Sequence, residues 1–164
     1  MLRVPSVILK NTNVLSAATD IVYLPRVRKL LERNSSSRLQ RIFKKFMHPY
    51  EIDHYNTLVK HGSQPEQKLV YVAGVWASKE SLFKSLPYSS QRPSAIDIYT
   101  KLAYKSNDLD GKPKLNLDKK RFSTGCSTTS YWDKHLESTR YEMSISHDQN
   151  YLICILLHIK DAEP

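Results

Sequence analysis

The sequence predicts a single α+β domain, and three observations predict it. The chain has 164 residues, the length of one ordinary domain. One long segment, Lys68 to Leu86, repeats its apolar residues with helical spacing: Leu69, Val72, Trp76, Phe83 and Leu86 form one stripe. Extended segments flank it, Val14 to Leu24 near the start and the pair Tyr141 to Ser146 and Tyr151 to Ile159 at the close.

Between these landmarks the elements follow in order. Pro25 suits the first turn of a helix, where a missing N–H costs little, and that helix runs to about Arg33. The Asn34-Ser-Ser-Ser37 cluster breaks it from a second piece over roughly Arg38 to Phe46. Pro49 opens another short helix, Glu51 to His61, ended near Gly62. Pro87 stops the long helix, and Tyr88 to Ser94 reads as a polar loop. Ala95 to Tyr104 alternates as a strand does. Asp110-Gly-Lys-Pro113 is a hairpin-type turn, followed by a short strand from Lys114 to Leu117. Asp118 to Ser138 has little periodicity, and its Ser/Thr-rich middle, Ser123 to Ser130, reads as a surface loop. His147-Asp-Gln-Asn150 turns the chain into the last strand. Tyr151 to Ile159 is apolar on both faces, as in a strand central to a sheet or packed against another subunit.

Composition excludes several classes. The longest apolar run, Tyr151 to Leu157, falls far short of the ~20 residues of a membrane helix. Two cysteines, Cys126 and Cys154, make neither a disulfide framework nor a four-ligand zinc site. Lys and Arg number 25 against 16 Asp and Glu, a formal charge of +9 that calls for an anionic partner. The excess is local. Arg26 to Lys45 holds eight cations and one acid, Glu32, interleaved with Val27, Leu30, Leu31, Ile42, Phe43 and Phe46. Such a segment is either a solvated helix face or a docking surface whose apolar side packs while its cations meet an anion. The first residues carry Arg3 and Lys10, no acid before Asp20, and Ser6, Thr12, Ser16 and Thr19, a composition similar to a mitochondrial presequence.

Three polar residues stand in apolar settings. Asp20, within Ala17-Ala-Thr-Asp-Ile-Val22, either caps a strand end or is paired, protonated or bound to a cation, because a lone buried carboxylate costs several kcal/mol. Glu80 shares a stripe with Ala73, Ala77 and Lys84. It is either an exposed i,i+4 partner of Lys84 or a ligand beside small side chains that admit a close approach. His147 follows a strand and is either a surface histidine or a ligand and acid–base group.

The joint order of these residues resembles the holo-acyl-carrier-protein synthase family, the small 4′-phosphopantetheinyl transferases. Ala18-Thr-Asp20-Ile-Val22 is similar to its G-x-D-I-V/T strand, and Ala73-Gly-Val-Trp-Ala-Ser-Lys79-Glu80-Ser-Leu-Phe-Lys84 to its A-G-R-W/F-A-x-K-E-A-x-x-K helix. Gly111-Lys-Pro113, Ser144-Ile-Ser-His147 and the Glu51-containing segment from Met47 to Tyr55 resemble further family pieces. Coverage runs from about residue 14 to 159, with extra length near 88–108 and 118–139. Departures are Ala18 for a Gly, Tyr23 for an acid, Val75 for an Arg that contacts phosphate, and Pro87 to Pro93 in place of a Gly-rich loop.

The resemblance implies an antiparallel sheet packed with a long central helix, the 4′-phosphopantetheinyl transferase fold, in a homotrimer with sites at subunit interfaces. It implies Mg²⁺-dependent transfer of the phosphopantetheine arm of coenzyme A to a serine of an acidic acyl carrier protein, in a mitochondrial member serving fatty acid biosynthesis. Asp20 and Glu80 would hold the metal, which prefers oxygen ligands. Glu80, Lys84 and His147 would be catalytic, and Lys84, His147 and Lys79 would bind the coenzyme. Arg26, Arg28 and Arg33 would bind the carrier, with Arg41 and Lys45 beside them. Two other readings compete: a basic RNA-binding organellar protein, and a catalytically silent relative, motivated by Val75 and the missing Gly-rich loop.

Overall fold

The protein is described by a computed structural model over residues 13–161, Gln91 and the side chain of Cys126 excepted. The presequence-like residues Arg3, Ser6, Lys10 and Thr12 lie outside the described residues. Strand β1 (Asn13–Tyr23) turns Ala18, Asp20 and Val22 inward and leaves Leu15, Ile21 and Tyr23 outward, the alternation of a sheet with one covered face. It passes directly into α1 (Leu24–Arg33), with Pro25 in the first turn, and the Leu24 amide donates to the Asn150 carbonyl at 2.8 Å. The two short helices α2 (Ser36–Phe43) and α3 (Pro49–Lys60) follow. Helix α3 opens with a capping box: the His48 amide donates to Glu51 Oε2 at 2.8 Å and the Tyr50 amide to His48 Nδ1. The 21-residue helix α4 (Pro65–Ser85), about 30 Å long, then crosses the inner face of the sheet.

Two expectations fail in the second half. The predicted strand from Ala95 to Tyr104 is helical over most of its length: α5 (Ala95–Asp97) continues as a π-helical turn, Ile98–Leu102. Ile98 and Leu102, both fully buried, are four residues apart, a spacing that alternation and a helix share. What decides for the helix is local. Ser94 Oγ accepts from the Asp97 amide at 3.2 Å, and Lys101 pairs with Asp97 at 2.7 Å. Only Ala103–Asn107 is extended; it forms β2, hairpin-paired with β3 (Pro113–Leu117).

The predicted surface loop from Ser123 to Ser130 also fails. After α6 (Lys119–Phe122), helix α7 (Cys126–His135) starts inside it. The hydroxyls of Thr128 and Thr129 both donate to the Gly125 carbonyl, so they bond to the first turn instead of breaking it, and buried Tyr131 and Trp132 anchor the rest.

Strands β4 (Thr139–Asp148) and β5 (Tyr151–Lys160) close the chain through a two-residue turn in which Gln149 has φ 47°. The turn is shorter than predicted, so His147 sits on the strand. The sheet is antiparallel in the order β1–β5–β4. The last strand is therefore central, and its inner residues Leu152, Cys154 and Leu156 are fully buried under α4. Its outer residues are not covered: Ile153 is 40% and Ile155 51% exposed, next to exposed Ile21, Tyr23 and Tyr151.

Candidate active site

The inward parity of β1 aims Asp20 at the C-terminal part of α4. Asp20 Oδ1 accepts from Lys84 Nζ at 2.7 Å, and the same ammonium donates to the Thr19 carbonyl at 3.1 Å. Asp20 thus lies inside the strand, not at its end, and is paired. The pair is at the rim: the Lys84 side chain is 48% exposed and that of Asp20 13%. Glu80, one turn before Lys84 on the helix, is not its i,i+4 partner. Its Oε1 accepts instead from the Tyr99 hydroxyl at 2.9 Å. Burial first, then the Glu80 carboxylate and lastly Asp20, push the Tyr99 phenol above its ordinary pKa; Tyr99 stands in the field of both carboxylates.

Beside this rim runs a cationic groove of about 780 Å³. Val27, Leu30, Ile42, Phe46 and Trp76 give it an apolar floor. Its walls carry Arg26, Lys29, Arg33, Arg38 and Lys45, and Tyr99 lines it as well. The basic segment read from the sequence is therefore a groove wall more than a solvated face. Arg28 does not line the groove, because it turns to Glu66 on α4 at 2.8 Å. Arg41 is exposed and does not line the groove.

Two predicted coenzyme contacts sit elsewhere. Lys79 points inward and is fully buried; its ammonium lies 3.0 Å from Glu51 Oε2 and donates to the Ala103 carbonyl. Glu51 Oε1 accepts from the Lys105 amide at 2.6 Å. Burial opposes both charges, raising the Glu51 pKa and lowering that of Lys79, while each partner offsets the shift of the other. Burial, followed by Lys79, also holds His48 down at about 4, so the imidazole is neutral 3.3 Å from Asp118. This cluster ties α3, α4 and β2 together and presents nothing to a ligand. Val75 likewise is fully buried, so position 75 offers no contact to a phosphate here.

His147 is exposed and lines a separate cavity of about 620 Å³ with His54, Tyr71, Gly74, Lys105 and Asn107. It is on β4, opposite Leu152, which in turn is opposite Val22 of β1. Two strand spacings, about 10 Å, separate these edges, with α4 packed over the sheet between them. Within one chain Asp20 and Lys84 are paired, Tyr99 stands near both Asp20 and Glu80, and His147 lies apart.

Two carboxylates and a lysine at an open rim suit a hard cation that also binds phosphate. Mg²⁺ commonly uses one or two carboxylates and takes its remaining ligands from water and substrate phosphates. Among the described residues no group of three His, Cys, Asp or Glu side chains forms an all-protein cage. The donor set fits Mg²⁺ in that mode.

A sequence model of the 4′-phosphopantetheinyl transferase superfamily matches residues 16–155. The chain belongs to that superfamily. It is 36% identical over 150 residues to the mitochondrial holo-[acyl-carrier-protein] synthase of Eremothecium gossypii, covering 90% of this chain and 80% of that one. To the mitochondrial holo-[acyl-carrier-protein] synthase of Saccharomyces cerevisiae it is 32% identical over 155 residues, covering 87% and 90%. In fold, this superfamily member is similar to holo-ACP-synthase from Plasmodium yoelii, with a TM-score of 0.63, 22% identity and coverage of 93% and 100%. It is also similar to a holo-(acyl-carrier-protein) synthase from Bacillus anthracis in complex with CoA (3′,5′-ADP), with a TM-score of 0.60, 17% identity and coverage of 90% and 98%.

Sequence reasoning missed Tyr99 and the role of Glu51. Reading a strand over residues 95–104 hid the first, since a π-helical turn, not alternation, delivers that ring to the rim. The second had a signal, the His48-Pro-Tyr-Glu51 capping sequence, which marks a helix start but not the lysine it also holds.

Proposed function

We propose that this protein transfers the 4′-phosphopantetheine arm of coenzyme A to a serine of an acidic acyl carrier protein in mitochondria. The observation that supports the reading is Tyr99, which bonds to Glu80, stands in the field of Asp20 with its Lys84 partner, and lines an amphipathic cationic groove. The serine oxygen attacks the β-phosphorus of the coenzyme diphosphate, a new P–O bond forms, and the bond to the α-phosphate oxygen breaks. The electron pair and the 3′,5′-ADP leave together, and the serine proton passes to water at the half-exposed rim. Lys84, held by Asp20 through a half-exposed pair of small energetic value, is able to turn to a phosphate oxygen. Asp20 and Glu80 would hold Mg²⁺, which supplies charge neutralisation on the diphosphate and leaving group. The reaction otherwise rests on positioning and electrostatics.

The groove would receive a helix of the carrier. Arg26 and Arg33 meet its acids and Val27, Leu30 and Phe46 its apolar side, an arrangement that governs orientation and on-rate. Arg28 is engaged with Glu66 and does not line the groove. The outer sheet face exposes Ile21, Tyr23, Tyr151, Ile153 and Ile155 together, a contiguous apolar surface that supports a homotrimer. The distance between His147 and the carboxylate rim supports a site shared between copies. The His147 cavity of one subunit, with Lys105 and His54, would hold the far end of a coenzyme whose diphosphate lies at the Asp20–Glu80 rim of the next.

The test is incubation with coenzyme A, Mg²⁺ and an apo acyl carrier protein, read by intact mass. The expected result is one phosphopantetheine per carrier with Mg²⁺ and none after chelation. A carrier that stays unmodified under both conditions overturns the reading.

A further inference from the structure

Glu80 would be an unreliable metal ligand if left to itself. It lies on the outer side of α4 near the rim, and fixing a free glutamate side chain in one rotamer costs up to ~2 kcal/mol. In this structure the cost is met before any ligand arrives. The Tyr99 hydroxyl donates to Glu80 Oε1 at 2.9 Å, from a segment 19 residues further along the chain.

Tyr99 is itself held on several sides. It sits in the π-helical turn Ile98–Leu102, whose ends are the fully buried Ile98 and Leu102. Its ring packs edge-on against Phe83, centroids 5.7 Å apart, and the Arg92 guanidinium covers the Phe83 ring at 3.9 Å. The next residue is tied as well, since Arg121 Nε donates to the Thr100 carbonyl at 3.3 Å. The same ring lines the groove with Phe46 and Trp76. One side chain therefore belongs both to the groove and to the carboxylate rim.

We propose that Tyr99 is a positioning residue for the transfer: its hydroxyl fixes Glu80 in the orientation that takes the divalent ion, and its ring joins that carboxylate to the groove where the carrier docks. This rests on the transferase reading above and adds a residue to it from the segment near 88–108, which the family resemblance implies is extra length. The bond leaves one Glu80 oxygen engaged by a neutral donor and the other to the ion. Removing the hydroxyl frees the carboxylate to rotate, so ion binding must then pay for its ordering.

The test uses the full chain and compares Tyr99→Phe with Glu80→Gln. Coenzyme A binding is titrated calorimetrically at increasing Mg²⁺, and KM for the carrier and the melting temperature are recorded alongside. Tyr99→Phe keeps the ring on Phe83. It is expected to raise the Mg²⁺ concentration needed for half-maximal coenzyme binding about tenfold, the size of a lost hydrogen bond to a charged group. The carrier KM stays within about twofold and saturating Mg²⁺ restores turnover. A merely structural Tyr99 would lower the melting temperature and leave the Mg²⁺ half-point at the wild-type value, and that result overturns the proposal. Glu80→Gln separates the two levels. If it abolishes Mg²⁺-dependent binding while Tyr99→Phe behaves as wild type, only the role of Tyr99 falls. If Glu80→Gln keeps wild-type Mg²⁺ dependence, the metal reading and the Tyr99 proposal fall together.

Discussion

Helix α4 carries two lysines five residues apart, and each holds a carboxylate from another element. Lys79 lies 3.0 Å from Glu51 and Lys84 2.7 Å from Asp20. In contact geometry the pairs are nearly the same, but five residues turn a helix by about 140°, so one faces the core and the other the rim. The Lys79 and Glu51 side chains are 1% and 0% exposed, and backbone groups of His48, Ala103 and Lys105 take up their remaining hydrogen bonds. Lys84 is half in water. The difference teaches that an ion pair is read by its surroundings: the buried one cannot exchange partners without leaving a naked charge, whereas the rim pair can open to a phosphate at little cost.

Breaking the rim should produce the largest effect. Asp20→Ala and Glu80→Gln are each expected to lower transfer about a thousandfold or more, since several kcal/mol of charge stabilisation would go with the proposed ion. The melting temperature should stay within a few degrees. Carrier mass gain and a thermal melt check both, and full activity in either variant would show that the rim is no more chemical than the core pair. Breaking the buried pair should do the reverse. Lys79→Ala strands Glu51 and is expected to cost about 3 kcal/mol of stability. Chemical denaturation reads that loss, and activity per folded molecule should survive at low temperature. A stable but inactive Lys79→Ala protein would erase the contrast.

Acid sharpens it next. Burial holds His158, stacked on Tyr141 with both ring nitrogens unpartnered, down at about 4. The unfolded chain takes up that proton as the pH falls through about 6.5, and the folded chain does so only near 4. The stability from neutral His158 is therefore whole above pH 6.5 and is lost progressively toward pH 4, about 3 kcal/mol in all. His48, beside the buried pair, acts in the same direction. Denaturation midpoints measured from pH 7 to pH 4 should fall accordingly, and His158→Phe should remove about half of the slope. The smallest effect is expected at the groove wall. Arg26→Glu should weaken carrier binding about tenfold, more at low salt, and leave coenzyme A binding within about twofold. Equal losses in both titrations would separate the groove from the carrier.

Much of this was legible from residues alone. The stripe from Leu69 to Leu86 announced α4, Pro25 placed the junction of β1 and α1, and the doubly apolar Tyr151 to Ile159 stretch marked the central strand. Asp20 and Glu80 stood out because charged groups in apolar settings need a partner. Other parts were hidden for physical reasons. Ile98 and Leu102 satisfy strand and helix spacing at once. Thr128 and Thr129 look like loop residues until their hydroxyls are seen bonding to Gly125. Lys79 and Lys84 are the same residue type on one helix, and only the position of Glu51 and of β1 decides which is buried. His147 is visible as a motif residue, but its separation from the rim by the width of the sheet is a property of topology.

The central claim is that Asp20 and Glu80 share one divalent ion that also binds the coenzyme diphosphate. Pulsed paramagnetic resonance on the full chain with Mn²⁺ and coenzyme A measures it most directly. The account predicts one bound Mn²⁺ per subunit with phosphorus couplings that vanish in both Asp20→Ala and Glu80→Gln. Phosphorus couplings that persist unchanged in either variant would contradict it.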